Sequence, residues 1–376
     1  SVLRSLPEGG APQFLRRARG YTPKPIFLAG DKDTPTVLGT GPELKATLCL
    51  TKGNQAFVSQ HIGDMENLET LAFYKEILSH LKDILQVTPE AVIHDLHPDY
   101  MTTRLAREHA EEHGIELMSL QHHYAHIHSV LAEHSFEGAA IGLALDGTGY
   151  GEDKTLWGGE CLLVDSMNRT HQRLAHFSRV MLPGGETAIR EPWRIAQAML
   201  REIGQGDLPE EDTWPWLKRF GQASAMLPAL MDKGINSPLT SSCGRLFDAV
   251  SAMLGLCLAI TYEGQAAIIL EHVQDMAEDK SYDCPILSDR QPLVLDTMTL
   301  FDQVVRDAHA GVSPEIVSRR FHLGLVKGLA DLAVHFSKEW GIRDIPLSGG
   351  VMQNLTLATL LPEALRSRGL HPLVHK

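Results

Sequence analysis

The side chains best equipped for chemistry lie in one short run, Gln121-His122-His123-Tyr124-Ala125-His126-Ile127-His128. His122 and His126 are four residues apart, so on a helix they share a face and can ligate one cation through their imidazoles. His123 and His128 point elsewhere under the same geometry. An exposed polar helix start would be written with the same letters. The weight comes from Asp146, which ends the next apolar run and supplies a carboxylate to complete three protein ligands, leaving a coordination position open. Zinc, iron or another divalent ion suits that set, and spacing does not choose among them.

Asp146 belongs to the stretch IGLALDGTGYGEDKTLWGGE, residues 141–160. An apolar run ends there, Gly147, Thr148 and Gly149 break it, and a second short strand over 156–160 carries Gly158 and Gly159. The pattern predicts a β-hairpin with a glycine-rich turn, which lets backbone N–H groups approach phosphate oxygens without side-chain interference. A carboxylate at the strand end suits a divalent cation that neutralises those phosphates. Ser348-Gly349-Gly350, with Asn354 one turn into the following helix, offers a second backbone site for an anion or nucleotide; a plain tight β–α turn accounts for it equally well. The turn from Gly39 to Lys45 is a third, where Lys45 can reach a phosphate or a carbonyl, or can simply be solvated.

Several other stretches are dense in functional residue types without a mechanism from spacing: SQHIGD, LPGGETAIREPWR, TSSCGRLFD and YEGQAA. Arg190, Arg194 and Arg245 divide evenly between buried ion pairs and substrate-facing roles. Cys243 has no fixed histidine partner, so a buried thiol is expected.

Positioning these groups takes two α/β units. From residue 36 the pattern reads βββαβα: three short strands, a helix over 66–85, a strand over 91–94, a helix over 100–113. A strand over 116–121 then runs into the histidine segment. The pattern restarts at Ile141 with strands to about Met181, a mostly helical block to about Glu278, a polar loop over 279–291, helices over 296–310 and 314–340, a buried strand over 345–347, and a helix over 353–368. Strand meanders followed by αβα, seen twice, predict two related lobes with a cleft between them.

Composition narrows the setting. The 376 residues are 43% apolar, enough for two substantial cores. No run of eighteen apolar residues and no basic-then-apolar leader occurs, so neither a membrane span nor a secretory signal is expected. Five scattered cysteines, never at CxxC spacing, argue against a disulfide framework and a zinc ribbon and suit a reducing cytoplasm. A net charge of -13 disfavours nucleic acid as a partner.

With these segments in view, the chain resembles the C-terminal region of the HypF carbamoyltransferases of nickel–iron hydrogenase maturation. The matching stretches are ELKATLCL, SQHIGD, QHHYAH, LALDGTGYGEDKTLWGGE, LPGGETAIREPWR, TSSCGRLFDAV, YEGQAA and LSGGVMQN. The resemblance implies two lobes like those of the actin-like, sugar-kinase-like and Hsp70-like (ASKHA) ATPases. Residues 1–35 would be the tail of a preceding adenylate-forming domain plus a linker, 36–138 the first lobe, and 139–376 the second lobe with a helical insertion, incomplete at its C-terminal end.

The resemblance also implies a reaction, passage of the carbamoyl group of an ATP-derived carbamoyl-adenylate to the C-terminal cysteine of the partner HypE. His122, His126 and Asp146 would hold a divalent metal, zinc or iron. Gly147, Thr148, Gly149, Gly158, Gly159, Ser348, Gly349, Gly350 and Asn354 would hold the adenylate, and Lys45 would add charge. The family's further acidic ligand, in an NDGG-like turn, falls beyond Lys376, and the domains that make the adenylate precede residue 1, so the whole reaction is not expected of this stretch. An O-carbamoyltransferase acting on a small hydroxylated metabolite, and a non-catalytic nucleotide-binding scaffold for HypE, share the same features.

Overall fold

The computed structural model describes residues 1–4, 13–30, 33–204 and 214–376. A short hairpin of β1 (Val2–Arg4) and β2 (Gln13–Arg16) precedes the first lobe. That lobe is a six-stranded sheet built from β3 (Ile26–Phe27), β4 (Val37–Gly39), β5 (Cys49–Lys52), β6 (Gln55–Val58), β7 (Ala91–Asp95) and β8 (Glu116–Leu120). Its order is β3-β6-β5-β4-β7-β8. The meander β4–β5–β6 is antiparallel, whereas β7 and β8 are added in parallel. Parallel neighbours need crossovers, which α1 (Leu68–Leu85) and α2 (Met101–His113) supply. Asn67 caps α1 by accepting from the Thr70 amide, and Gln86 ends it in the left-handed region at φ 52. Leu38, Leu50, Tyr74, Val92 and Ala106 fill the space between sheet and helices.

The histidine segment forms α3 (His122–Glu133). Its apolar residues Tyr124, Ile127 and Leu131 fall three and four apart, and that stripe packs on Ala140, Ala144, Trp157 and Leu162 of the second lobe. The helix therefore follows the first sheet in sequence but rests on the second, so a boundary at residue 138 does not coincide with the packing.

The second lobe is a nine-stranded sheet of order β14-β15-β11-β10-β9-β16-β17, with β13 beside β10 and β12 beside β13. These strands are β9 (Ala139–Tyr150), β10 (Leu156–Asp165), β11 (Thr170–Phe177), β12 (Val180–Met181), β13 (Leu239–Thr240), β14 (Ile286–Leu287), β15 (Leu293–Leu295), β16 (Asp344–Ser348) and β17 (His371–Leu373). Between β12 and β14 lie α4 (Glu186–Arg190), α5 (Trp193–Glu202), α6 (Leu217–Asp232), α7 (Cys243–Met253) and α8 (Gln265–His272), the helical insertion. Then come α9 (Thr297–His309), α10 (Pro314–Trp340) and α11 (Leu355–Ser367). One large core, with Trp193, Phe247, Phe301 and Phe321 fully buried, joins sheet and insertion. The expected polar loop over 279–291 carries β14, a two-residue strand too short to leave a periodic signal.

The hairpin differs from its sequence reading. Gly147–Gly149 is not the turn: β9 runs on to Tyr150, and the chain reverses over 151–155. Leu145 pairs with Gly159 and Gly149 with Trp157, so Asp146, Gly147 and Thr148 together face the single Gly158. This is a bulge, which lifts Asp146 out of the sheet in mid-strand. Its tightness explains Gly158, where a Cβ would lie 2.6 Å from the Asp146 carbonyl oxygen. Among the described residues no helix is long and apolar enough to cross a membrane.

Candidate metal centre

Gln121 sets the start of α3. Its side-chain oxygen accepts from the amides of His123 at 2.7 Å and Tyr124 at 3.2 Å, and its Nε2 donates to the Tyr150 carbonyl at 3.0 Å. His122 and His126 then face Asp146, while His123 and His128 turn away. His123 is fully buried, held neutral by burial, and packed where a Gly149 Cβ would lie 2.5 Å from its ring. His128 meets His171 on the outer side, Nε2 to Nε2 at 2.8 Å.

His122 Nε2 and His126 Nε2 lie 3.2 and 3.1 Å from Asp146 Oδ2. These separations match the ~3.3 Å expected between ligand atoms around a tetrahedral divalent ion at ~2.0 Å. The ligand atoms of all three residues lie within 4.8 Å of one another.

The hydrogen-bond partners decide what those nitrogens carry. Asp95 Oδ2 lies 2.8 Å from His122 Nδ1 and, as a carboxylate, can only accept, so Nδ1 bears the proton and a neutral ring presents a lone pair at Nε2. For His126 the same conclusion travels along a chain. Glu133 Oε2 accepts from His375 Nδ1 at 3.0 Å, and His375 Nε2 accepts from Ser348 Oγ at 3.0 Å. Ser348 Oγ in turn accepts from His126 Nδ1 at 3.1 Å, which leaves a lone pair at His126 Nε2. Two lone pairs and a carboxylate oxygen thus converge with no proton of their own between them. A cation, or an extra proton, is what such an arrangement needs.

Electrostatics agrees. Burial works against charge on His122, yet the carboxylates of Asp146 and Asp95 outweigh it and raise its pKa to about 10. Burial likewise pushes Asp146 up, and the two imidazoles overcome it and hold the carboxyl well below its ordinary value. The other Asp146 oxygen, Oδ1, accepts from the amides of Gly147 at 2.8 Å and Gly350 at 3.0 Å. One oxygen is anchored to backbone and the other is left to the histidines.

The glycines and their neighbours fall into two groups. Gly349, at φ 101, would place a Cβ 2.1 Å from the Leu145 carbonyl oxygen, and Gly159 would place one against Phe177 and Ser241. With Gly149 and Gly158, these positions are small because protein presses on them. Gly147 is open: a Cβ there would meet only Arg245 Nη2, at 4.0 Å. Gly350 is open except toward Asp146 Oδ1. Thr148 sits in the bulge between them and the hairpin tip. Ser348 is engaged with His126 and His375. Asn354 is buried, with Oδ1 capping α11 at the Leu357 amide and Nδ2 donating to His322.

Of the arginines left open by the sequence, Arg190 is exposed beside Glu186, Arg194 pairs with Glu191 at 2.5 Å, and Arg245 forms a buried ion pair with Asp248 at 2.9 Å while its Nη2 lies next to Gly147. Lys45 contacts Glu263 across the lobes at 2.9 Å, both exposed. Cys243 is wholly buried, its thiol pushed up by burial. Asp95 escaped the sequence reading, which ended its strand at His94. A carboxylate at the C-terminal end of a parallel strand, where open α/β sheets gather their functional groups, was the available signal. A cavity of about 670 Å³ lined by His176, Arg179 and Arg290 lies at the β11–β15 edge and shares no residue with this centre.

Two family models match the chain, the HypF Kae1-like domain over residues 32–133 and the second subdomain of the carbamoyltransferase Kae1-like domain over residues 142–376. The chain is 41% identical over 367 residues to a carbamoyltransferase HypF of Rhizobium leguminosarum bv. viciae, covering 96% of this chain and 45% of that one. It is 32% identical over 360 residues to a carbamoyltransferase HypF homolog of Cupriavidus necator, covering 92% of this chain and 88% of the homolog. A crystal structure of full-length HypF in the phosphate- and nucleotide-bound form superposes with a TM-score of 0.88 at 35% identity, over 97% of this chain and 56% of that one. The chain spans 45–48% of the length of the HypF proteins of R. leguminosarum, C. necator (HypF2) and Synechocystis. It belongs to the HypF carbamoyltransferase family and has the fold of that family's Kae1-like region.

Proposed function

We propose that this region carries the transfer step of carbamoylation, passing the carbamoyl group of carbamoyl-adenylate to the C-terminal cysteine thiol of HypE. The observation that carries the reading is the convergence of two imidazole lone pairs and the Asp146 carboxylate beside the two open glycines, Gly147 and Gly350. His122, His126 and Asp146 would hold a divalent ion, zinc or iron, which supplies Lewis acidity toward a phosphate or carbamoyl oxygen.

The chain's own groups do the rest. The exposed backbone around Gly147 and Gly350 lets the adenylate approach, and the Arg245 guanidinium beside Gly147 provides charge for its phosphate. The acceptor sulfur, as thiolate, attacks the carbamoyl carbon. A C–S bond forms, the bond from that carbon to the phosphate oxygen breaks, and AMP departs with the electron pair, the thiol proton having gone to solvent. Lys45, once parted from Glu263, can add charge at the mouth of the cleft.

Incubating the purified chain with synthetic carbamoyl-adenylate and HypE, then weighing HypE, tests this. A gain of one carbamoyl mass, lost with Arg245→Ala, is expected. Unmodified HypE that still binds the chain would favour a scaffold instead, and carbamoylation of a hydroxylated metabolite in place of HypE would favour an O-carbamoyltransferase.

A further inference from the structure

The metal-centre helix rests on the second lobe, yet one of its ligands is held from the first. Asp95 is the last residue of β7, inside the first sheet, and 9% exposed. Its carboxylate is fixed on both sides: Oδ1 accepts from the His97 amide at 2.9 Å, and Oδ2 accepts from His122 Nδ1 at 2.8 Å. Its carbonyl is fixed as well, accepting from His94 Nδ1 at 2.5 Å and Thr103 Oγ1 at 3.4 Å. Asp95 is therefore a rigid part of the first lobe. His122 Nε2 faces Asp146, a rigid part of the second. One imidazole spans the two halves.

Two other contacts between the lobes in this part of the molecule are Lys45 with Glu263, which is exposed, screened by solvent and contributes little, and the edge-on packing of the His97 and Tyr150 rings at 5.1 Å, which has no polar partner to orient. The Asp95–His122 bond is shielded and charge-assisted.

We infer that Asp95 is a positioning residue that makes the metal centre depend on the lobe arrangement. This rests on the reading of His122, His126 and Asp146 as ligands. In this arrangement Asp95 holds the His122 ring in one tautomer and one orientation, with its lone pair toward Asp146. If the lobes part, Asp95 leaves with the first sheet and the ring loses both constraints. Outer partners of this kind alter metal affinity by about 10–100-fold. By reciprocity, a bound ion favours the arrangement in which Asp95 touches His122.

The test uses the whole chain, Co²⁺ as the probe and its visible absorption as the readout, with backbone hydrogen exchange at His97 as reporter of the first-lobe end of the link. Asp95→Ala should weaken Co²⁺ binding 10–100-fold, and Asp95→Asn should not restore it, because its single amide oxygen takes the His97 N–H and turns the NH2 toward His122 Nδ1, favouring the tautomer with the proton on Nε2. Co²⁺ should slow exchange at His97 in the wild type and not in Asp95→Ala. Wild-type affinity and unchanged protection in Asp95→Ala would overturn the inference. Should His126→Ala also retain the Co²⁺ spectrum, the ligand assignment itself would fall, so the two failures are distinguishable. Circular dichroism of each variant guards against a folding defect, and a folded Asp95→Asn that binds Co²⁺ as tightly as the wild type counts against positioning.

Discussion

Two histidine sites, one part-buried and one fully buried, lie at opposite ends of the same turn. Ser348 begins it and touches His126; Asn354 ends it and touches His322. At His322, Nδ1 donates to the Ser318 carbonyl at 2.7 Å and Nε2 accepts from Asn354 Nδ2 at 3.0 Å. Each ring nitrogen has a partner of the right kind. Burial lowers the pKa to about 4, the ring stays neutral, and its role is to join α10 to the start of α11. At His122 and His126 the outer nitrogens are equally well matched, but the inner ones meet a carboxylate with lone pairs on both sides. The difference in burial between the two sites does not by itself separate a structural histidine from a ligand. Whether its hydrogen bonds close does.

That contrast can be broken by substitution. Losing either ligand should cost the most: His122→Ala or His126→Ala should weaken Zn²⁺ binding by more than about 100-fold, since a three-residue set loses one of its donor atoms. His322→Gln should leave Zn²⁺ stoichiometry unchanged, and calorimetric titration reads both. A smaller effect, on stability instead of metal, is expected from Asn354→Ala, which removes the α11 cap and leaves buried His322 Nε2 without its donor. About 2–3 kcal/mol should be lost in denaturant unfolding, with metal binding retained.

The smallest effect is a pair of opposite pH slopes in the metal-free protein. His322 has a folded pKa near 4 against an ordinary 6.5, so the unfolded chain takes up the proton first as pH falls. Stability should drop between 6.5 and 4, by up to about 1.4 kcal/mol per pH unit, and His322→Gln should flatten that limb. His122 has a folded pKa near 10, so its contribution is complete below 6.5 and is lost as pH rises toward 10. His122→Gln should flatten that second limb.

Much of this was legible in the sequence. The βββαβα order of the first lobe follows from alternation and helical spacing, and α10 carries the bounds its periodicity predicted, Pro314–Trp340. The pairing of His122 with His126 follows from their spacing of four, and Asp146 from its place after an apolar run. What stayed hidden depends on contacts between distant segments. The glycines of the hairpin suggested a turn, but their cause is the pressure of His123, Phe177 and the Asp146 backbone, which no local pattern records. Asp95 meets His122 across 27 positions, and Ser348 meets His126 across 222. The cap that Asn354 makes on α11 and its contact with His322 were not legible, because caps and binding sites draw on the same residue types.

X-ray absorption at the zinc edge of the Zn²⁺-loaded chain addresses the proposed centre most directly. Two imidazole nitrogens and a carboxylate oxygen predict a first shell of nitrogen and oxygen at about 2.0–2.2 Å, with the outer-shell scattering of two imidazole rings. A sulfur ligand at about 2.3 Å, drawn from one of the five free cysteines, or a shell without imidazole scattering, would contradict the account.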